Sequence, residues 1–216
     1  VKKKMEKDRM RIGVYGGSFD PVHLGHLLLA ECCREQAGLD RVLFVPAATQ
    51  PHKQDRRLAD PQHRIDMLRL ATGGHPAFDV ATLEIDRGGV SYTVDTLASL
   101  RAAHPGDELC LLLGPDALAG FPTWREPRRI ADLATLVAVE RETLDDLSAA
   151  AAAAGLSDLL GAERLATLLD RRVRMPAIGI RASDLRAAVA AGRSIRYRTP
   201  RAVEAFIATH GLYRSA

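Results

Sequence analysis

Five short apolar runs, each followed by a stretch of helical periodicity, constrain this chain more than any other feature of it. "RIGVYG" (11–16) leads to "LLLAECCREQ", "RVLFVP" (41–46) to "PQHRIDMLRLA", and "FDVATLEI" (78–85) to "YTVDTLASLRAAH". "LCLLLG" (109–114) leads to "EPRRIADL", and "TLVAVE" (135–140) to an alanine-rich segment. Runs rich in β-branched residues and leucine, without polar alternation, belong to strands buried on both faces, and parallel strands need helical crossovers between them. The predicted fold is therefore α/β: a doubly wound, Rossmann-like parallel sheet whose ligands sit beyond the carboxyl ends of its strands. After residue 172 the pattern shifts. "VRMPAIGI" reads as extended, "SDLRAAVAAG" as helical, and "PRAVEAFIATHG" as a last helix with proline near its start and glycine past its end. The expected organisation is a disordered basic leader over 1–10 and a single domain over 11–216, with 172–216 as its small helical C-terminal part.

Composition narrows the setting. Of 216 residues, 47% are apolar and 26% charged, ordinary values for a globular chain long enough to bury a core. No apolar run reaches the ~18 residues of a membrane-spanning helix, so no membrane partner is expected. The opening "VKKKMEKDRM" is basic, but "EKDR" stands where a signal peptide would carry its apolar stretch. Against 27 Asp and Glu, 30 Lys and Arg leave a net charge of +3, too small to imply a nucleic-acid partner. Cys32, Cys33 and Cys110 have no metal-ligand spacing. Adjacent Cys32 and Cys33 in an apolar helix pattern read as reduced, packed thiols, and so as a cytoplasmic protein. Oligomeric state stays open, a homo-oligomer included.

The chemistry concentrates in "GGSFDPVHLGH" (16–26), at the end of the first strand and the start of the first helix. Gly16 and Gly17 let backbone approach a ligand with no Cβ in the way. His23 and His26, three apart, face one side near a helix N-terminus, where free N–H groups and the dipole attract anions. That set suits a polyphosphate. The dinucleotide fingerprint fails on spacing in "GVYGGS", and no GK[ST] ending occurs. A zinc site would want further ligands, and the helix should carry Cys32 and Cys33 into the core. In "SDLR" (183–186), Ser183 is a good N-cap and Asp184 suits a first turn. Arg186 is then a cation in the positive first turn, a conflict that a bound triphosphate would resolve. Asp116, after the fourth strand, is placed to accept ribose hydroxyls, and Gly114 permits close approach. Asp20 reads as a structural cap of its turn.

"GGSFDPVHLGH" resembles the HxGH signature of a nucleotidyltransferase superfamily, and the chain resembles more narrowly the bacterial nicotinate-nucleotide adenylyltransferase family. "PHK" (51–53), "HRIDML" (63–68), "SYTVDTL" (91–97), "GPDALAGFPTW" (114–124), "SDLR" and "VEAFIATHGLY" (203–213) follow in that family's order. The resemblance implies a nucleotidyltransferase fold and transfer of AMP from ATP to nicotinate mononucleotide, giving nicotinate adenine dinucleotide and pyrophosphate in NAD biosynthesis. It implies His23, His26 and Arg186 as catalytic groups around the ATP phosphates. Gly16, Gly17, Ser18, Phe19, Gly25, Gly114, Asp116 and Ser183 join them as ATP-binding positions, with Gly25 on the adenine side. Ser18, Phe19, Lys53, Thr93 and Trp124 would border the mononucleotide, Trp124 against its pyridine ring. Mg²⁺ is the expected cofactor, bound mainly through ATP oxygens. The chain departs from the family at Gln50, where proline is common, and at Arg181 and Ala182, where serines are common. Adenylyltransferases for nicotinamide mononucleotide or pantetheine phosphate are the nearest alternatives, and the pantetheine enzymes do not account for "FPTW".

Overall fold

A computed structural model describes residues 9–50, 58–141 and 147–214 of the protein. Six strands carry the sheet: β1 (Arg11–Gly17), β2 (Arg41–Pro46), β3 (Phe78–Val80), β4 (Glu108–Leu113), β5 (Thr135–Arg141) and β6 (Val173–Met175). Their order is β3-β2-β1-β4-β5-β6. β4 lies parallel to β1, β5 to β4 and β6 to β5. Between β1 and β2, the Asp40 amide donates to the Arg11 carbonyl and the Ala47 amide to the Gly17 carbonyl. Both partners advance in the same direction, as only parallel strands allow. The order reverses at β1, the arrangement of a doubly wound sheet, and the glycine-rich stretch begins with that strand's last two residues, Gly16 and Gly17. β4 buries every residue from Leu109 to Leu113, which is why its sequence shows no polar alternation.

Helices flank the sheet. They are α1 (Leu24–Gln36), α2 (Pro61–Thr72), α3 (Leu83–Arg87), α4 (Thr93–Ala103), α5 (Pro115–Gly120), α6 (Pro127–Leu133), α7 (Leu147–Ala153), α8 (Leu156–Leu160), α9 (Ala162–Asp170), α10 (Ala182–Ala190) and α11 (Arg201–Thr209). One expectation is corrected here. The run 78–85 reads as a single strand, yet β3 ends at Val80 and α3 begins at Leu83. Thr82 Oγ1 donates to Asp86 Oδ2 at 2.6 Å, an i,i+4 link, and the Gly88 amide closes the turn on the Glu84 carbonyl. Thr82 and Asp86, four apart, are linked on one face of this helical turn.

The chain divides into two compact units. One comprises the residues up to Tyr15, Ala30–Leu43 and Tyr92–Ala177. Within it the Met10 amide donates to Asp107 Oδ1 and the Met10 carbonyl accepts from the Glu108 amide, while residues 1–8 of the expected leader lie outside the described residues. A groove of about 1220 Å³ opens in this unit at the amino ends of β4 and β5, and Arg11, Arg101, Arg164 and Arg172 lie along it. Their guanidinium groups are occupied. Arg101 bonds the Asp107 and Leu133 carbonyls, Arg164 the Ala131 carbonyl, and Arg172 the Leu169 carbonyl, so these cations close helix ends and loops. The second unit comprises Gly16–Leu29, Phe44–Ser91 and the chain from Ile178 onward. α2 packs on α11 in it, with His63 edge-on to Phe206.

Candidate active site

The second unit holds most of the residues expected on the phosphate side. β1 ends at Gly17, and α1 starts at Leu24, whose amide donates to the Arg198 carbonyl at 3.0 Å. The His23 carbonyl accepts from the His26 and Leu27 amides, which puts His23 at the mouth of the helix. As the three-residue spacing predicts, the two imidazoles meet: they stack with centroids 3.7 Å apart and planes 19° from parallel. The Phe19 ring lies edge-on to His26 at 5.1 Å and tilts against Phe44.

Glycines fit this packing. A Cβ on Gly25 would stand 3.1 Å from Cε1 and Nδ1 of His23, so the space beside Gly25 belongs to the histidine ring. A Cβ on Gly17 would stand 3.0 Å from the Phe19 ring, which folds back over it. Phe19 takes a φ of 46°, unusual for a bulky residue, and is buried, while Ser18 before it is half-buried. Gly16 is different. Nothing lies within 4 Å of a Cβ built there.

Burial sets the charge state of the pair. Desolvation pushes His23 down to about 4, and desolvation together with the neighbouring His23 holds His26 well below the ordinary imidazole range. Both rings are therefore neutral at pH 7. The His23 amide donates to His26 Nδ1 at 3.2 Å, so the proton of neutral His26 resides on Nε2. His23 Nδ1 is buried without a hydrogen-bond partner among the described residues. An orphaned acceptor costs less there than an orphaned N–H, which favours the proton on Nε2 of His23 as well.

Asp20 does not cap its own turn as its position suggested it would; its carboxylate instead bonds groups 39 and 193 positions away. Its carboxylate is 1% exposed; Oδ1 accepts from the Tyr213 hydroxyl at 2.6 Å and from the Ala59 amide at 3.2 Å. Arg186 Nη1 donates to the Asp20 carbonyl and stands 3.8 Å from Oδ2. Two expectations about Arg186 and Ser183 are corrected. α10 begins at Ala182, with Arg181 in extended conformation at the cap and no side-chain capping bond; Ser183 Oγ bonds Asp184 instead. Arg186 thus lies a turn into the helix, where the dipole conflict is weak, and its partner is Asp20.

Sequence reasoning missed Arg64. This fully buried guanidinium donates to three backbone carbonyls: Ser18 at 3.0 Å, Ala47 at 2.7 Å and Ala59 at 3.2 Å. It ties the loop after β1 to the loop after β2 and to the entry of α2. Burial lowers its pKa and the Asp20 carboxylate opposes that shift. The signal was present, since Arg64 shares a helical stripe with buried Ile65, Met67 and Leu68. Thr199, also unforeseen, donates from Oγ1 to the Val22 carbonyl and anchors the approach to His23.

The remaining predicted residues belong to the first unit. Thr93 opens α4, and Asp116 stands exposed in the first turn of α5 behind Gly114. Trp124 is half-buried and edge-on to Phe121 at 5.5 Å, so it is not a core residue. Arg125 beside it lies over the Tyr92 ring and 3.7 Å from Asp95. Lys53 lies outside the described residues. Among the described residues no group of three or more His, Cys, Asp or Glu is placed to hold a metal, and no helix is long and apolar enough to cross a membrane.

The first strand of the parallel sheet thus runs into a stacked histidine pair. A family profile described as cytidylyltransferase-like matches residues 14–188. A relative from Thermomicrobium roseum that carries the nicotinate-nucleotide adenylyltransferase name is 45% identical over 95% of this chain and 92% of its own length. Another of that name, from Thermus thermophilus, is 44% identical over 95% of this chain and all of its own. The Plasmodium falciparum nicotinic acid mononucleotide adenylyltransferase complexed with NaAD superposes with a TM-score of 0.72 at 17% identity, covering 95% of this chain and 98% of the other, a likeness of fold. This chain belongs to the cytidylyltransferase-like family and, within it, to the nicotinate-nucleotide adenylyltransferases.

Proposed function

We propose that the protein transfers the adenylyl group of ATP to nicotinate mononucleotide, with residues 11–216 acting as one catalytic domain. A mononucleotide phosphate oxygen bonds to the α-phosphorus of ATP, and the bond to the bridging oxygen of the departing pyrophosphate breaks. The nucleophile is largely dianionic at neutral pH, since a phosphate monoester has its second pKa near ~6. It needs no general base, so catalysis reduces to alignment and neutralised charge. The stacked His23–His26 pair carries this reading: two neutral rings with Nε2 protons form a pair of fixed donors for phosphate oxygens at a helix mouth.

Arg186 supplies the permanent positive charge, and Ser183, Gly16, Gly17 and the Ser18–Phe19 backbone border the same phosphates. Gly114 and Asp116 are assigned to ATP, and Thr93, Trp124 and Lys53 to the mononucleotide, on the family resemblance. Asp20 is the carboxylate of the loop and is already engaged by Tyr213, Ala59 and Arg186. A Mg²⁺ therefore fits this donor set as an ion held by ATP oxygens, where it would neutralise phosphate charge. Three free cysteines, two of them buried, support a cytoplasmic setting.

The test is pyrophosphate release with ATP and Mg²⁺ and each of nicotinate mononucleotide, nicotinamide mononucleotide and pantetheine phosphate. A kcat/KM at least about tenfold higher for the nicotinate form is expected, since one unsatisfied buried group costs about 1–3 kcal/mol. Equal values for the two pyridine forms would make the enzyme dual-specific, and turnover with pantetheine phosphate alone would overturn the assignment.

A further inference from the structure

We propose that Tyr213 is a positioning residue for this reaction: through the buried carboxylate of Asp20, its hydroxyl keeps the Arg186 guanidinium open toward the ATP phosphates. The role rests on the assignment of Arg186 to ATP. Arg186 and Asp20 are close enough to form a bidentate pair, yet they do not. Nη1 is committed to the Asp20 carbonyl and stands 3.8 Å from Oδ2, while Oδ1 is held on its other side by Tyr213 at 2.6 Å and the Ala59 amide at 3.2 Å. Oδ2 is buried and has no hydrogen-bond partner among the described residues.

A buried carboxylate oxygen left in that state is costly, and rotation of the carboxylate toward the guanidinium would relieve it. Tyr213 and Ala59 prevent the rotation by fixing Oδ1. Without the hydroxyl, Asp20 is free to turn and capture Arg186 in a two-bond fork, which consumes the donors a phosphate needs. Tyr213 itself has a φ of 62°, rare for a bulky side chain, so the segment accepts backbone strain to bring the phenol to this carboxylate. Arg186 is 20% exposed at its side chain, enough to present its remaining N–H groups.

Steady-state pyrophosphate release is measured for the wild type, Tyr213→Phe, Arg186→Ala and the double variant, varying each substrate in turn. Tyr213→Phe should raise the ATP KM about tenfold, the scale of one hydrogen bond to a charged group, with the mononucleotide KM within about twofold of wild type. In the Arg186→Ala background the same substitution should change the ATP KM by less than about twofold, because the group it acts through is gone. Effects that multiply, or KM values that rise together for both substrates, make Tyr213 a structural residue and overturn the proposal. If Arg186→Ala alone leaves the ATP KM unchanged, the assignment of Arg186 falls and takes the relay with it. If Arg186→Ala raises it and Tyr213→Phe does not, only the relay falls. Should Tyr213→Phe fail to fold, Tyr213→Met, which also lacks the hydroxyl, enters the same cycle: an ATP KM effect that vanishes without Arg186 supports the relay, and one that persists overturns it.

Discussion

Gly25→Ala separates stability from activity at a single atom. Gly25 is the second residue of α1, and alanine there gains up to about 1 kcal/mol of helix propensity. The new Cβ would meet the His23 ring at 3.1 Å, a few tenths of an ångström inside ordinary contact. His23 is 6% exposed and has one face stacked on His26, so its ring yields by sliding or turning as a unit with its partner. Misplacement by a full ångström costs about 10²-fold in rate, so a shift of a few tenths should cost roughly five- to tenfold. Steric cost and propensity gain nearly cancel in the fold, leaving the melting temperature within about 3 °C of wild type. Thermal melts and kcat at saturating ATP and mononucleotide decide the matter. A variant that melts higher and turns over at the wild-type rate would show that the position of His23 does not limit the chemistry.

Gly16→Ala meets nothing in the free protein, so its melting temperature should hold while the ATP KM rises about tenfold; an unchanged KM would remove Gly16 from the site. His23 has its pKa lowered to about 4 by folding, so its contribution to stability is complete above pH 6.5 and is lost as pH falls from 6.5 toward 4, by about 3 kcal/mol. The urea midpoints at pH 7 and pH 4.5 should therefore draw closer together in His23→Gln, and an unaltered pH dependence would contradict the desolvation account. ATP binding should take up protons below pH 6.5, because an arriving triphosphate favours the charged form of His23; titration calorimetry in two buffers of different ionisation enthalpy reads this directly. Arg64→Lys should destabilise by about 2–4 kcal/mol in denaturant, since one ammonium cannot serve three divergent carbonyls.

The sheet was legible because burial on both faces writes itself as unbroken apolar runs, of which Leu109–Leu113 is the clearest. β3 was overread: Leu83 and Ile85 prolong the apolar run past Val80, while the Thr82–Asp86 bond belongs to a helical turn. The histidine pair was legible for the opposite reason, since spacing along one helix fixes which side chains meet. Ser183 has the composition of a cap, but the helix starts one residue earlier and the hydroxyl turns to Asp184. Asp20 and Tyr213 stand 193 positions apart, and no local rule joins a carboxylate in one loop to a phenol that distant.

Arg64 fastens Ser18, Ala47 and Ala59 by their carbonyl oxygens, and a carbonyl is the one group every residue type offers. The side chains at those three positions are therefore interchangeable as far as the anchor is concerned, while the anchor itself admits no substitute. A loop fastened in this way is free to accumulate changes in what it shows a ligand without moving. Loop residues can then be exchanged on this scaffold with the backbone that Arg64 fastens left where it is.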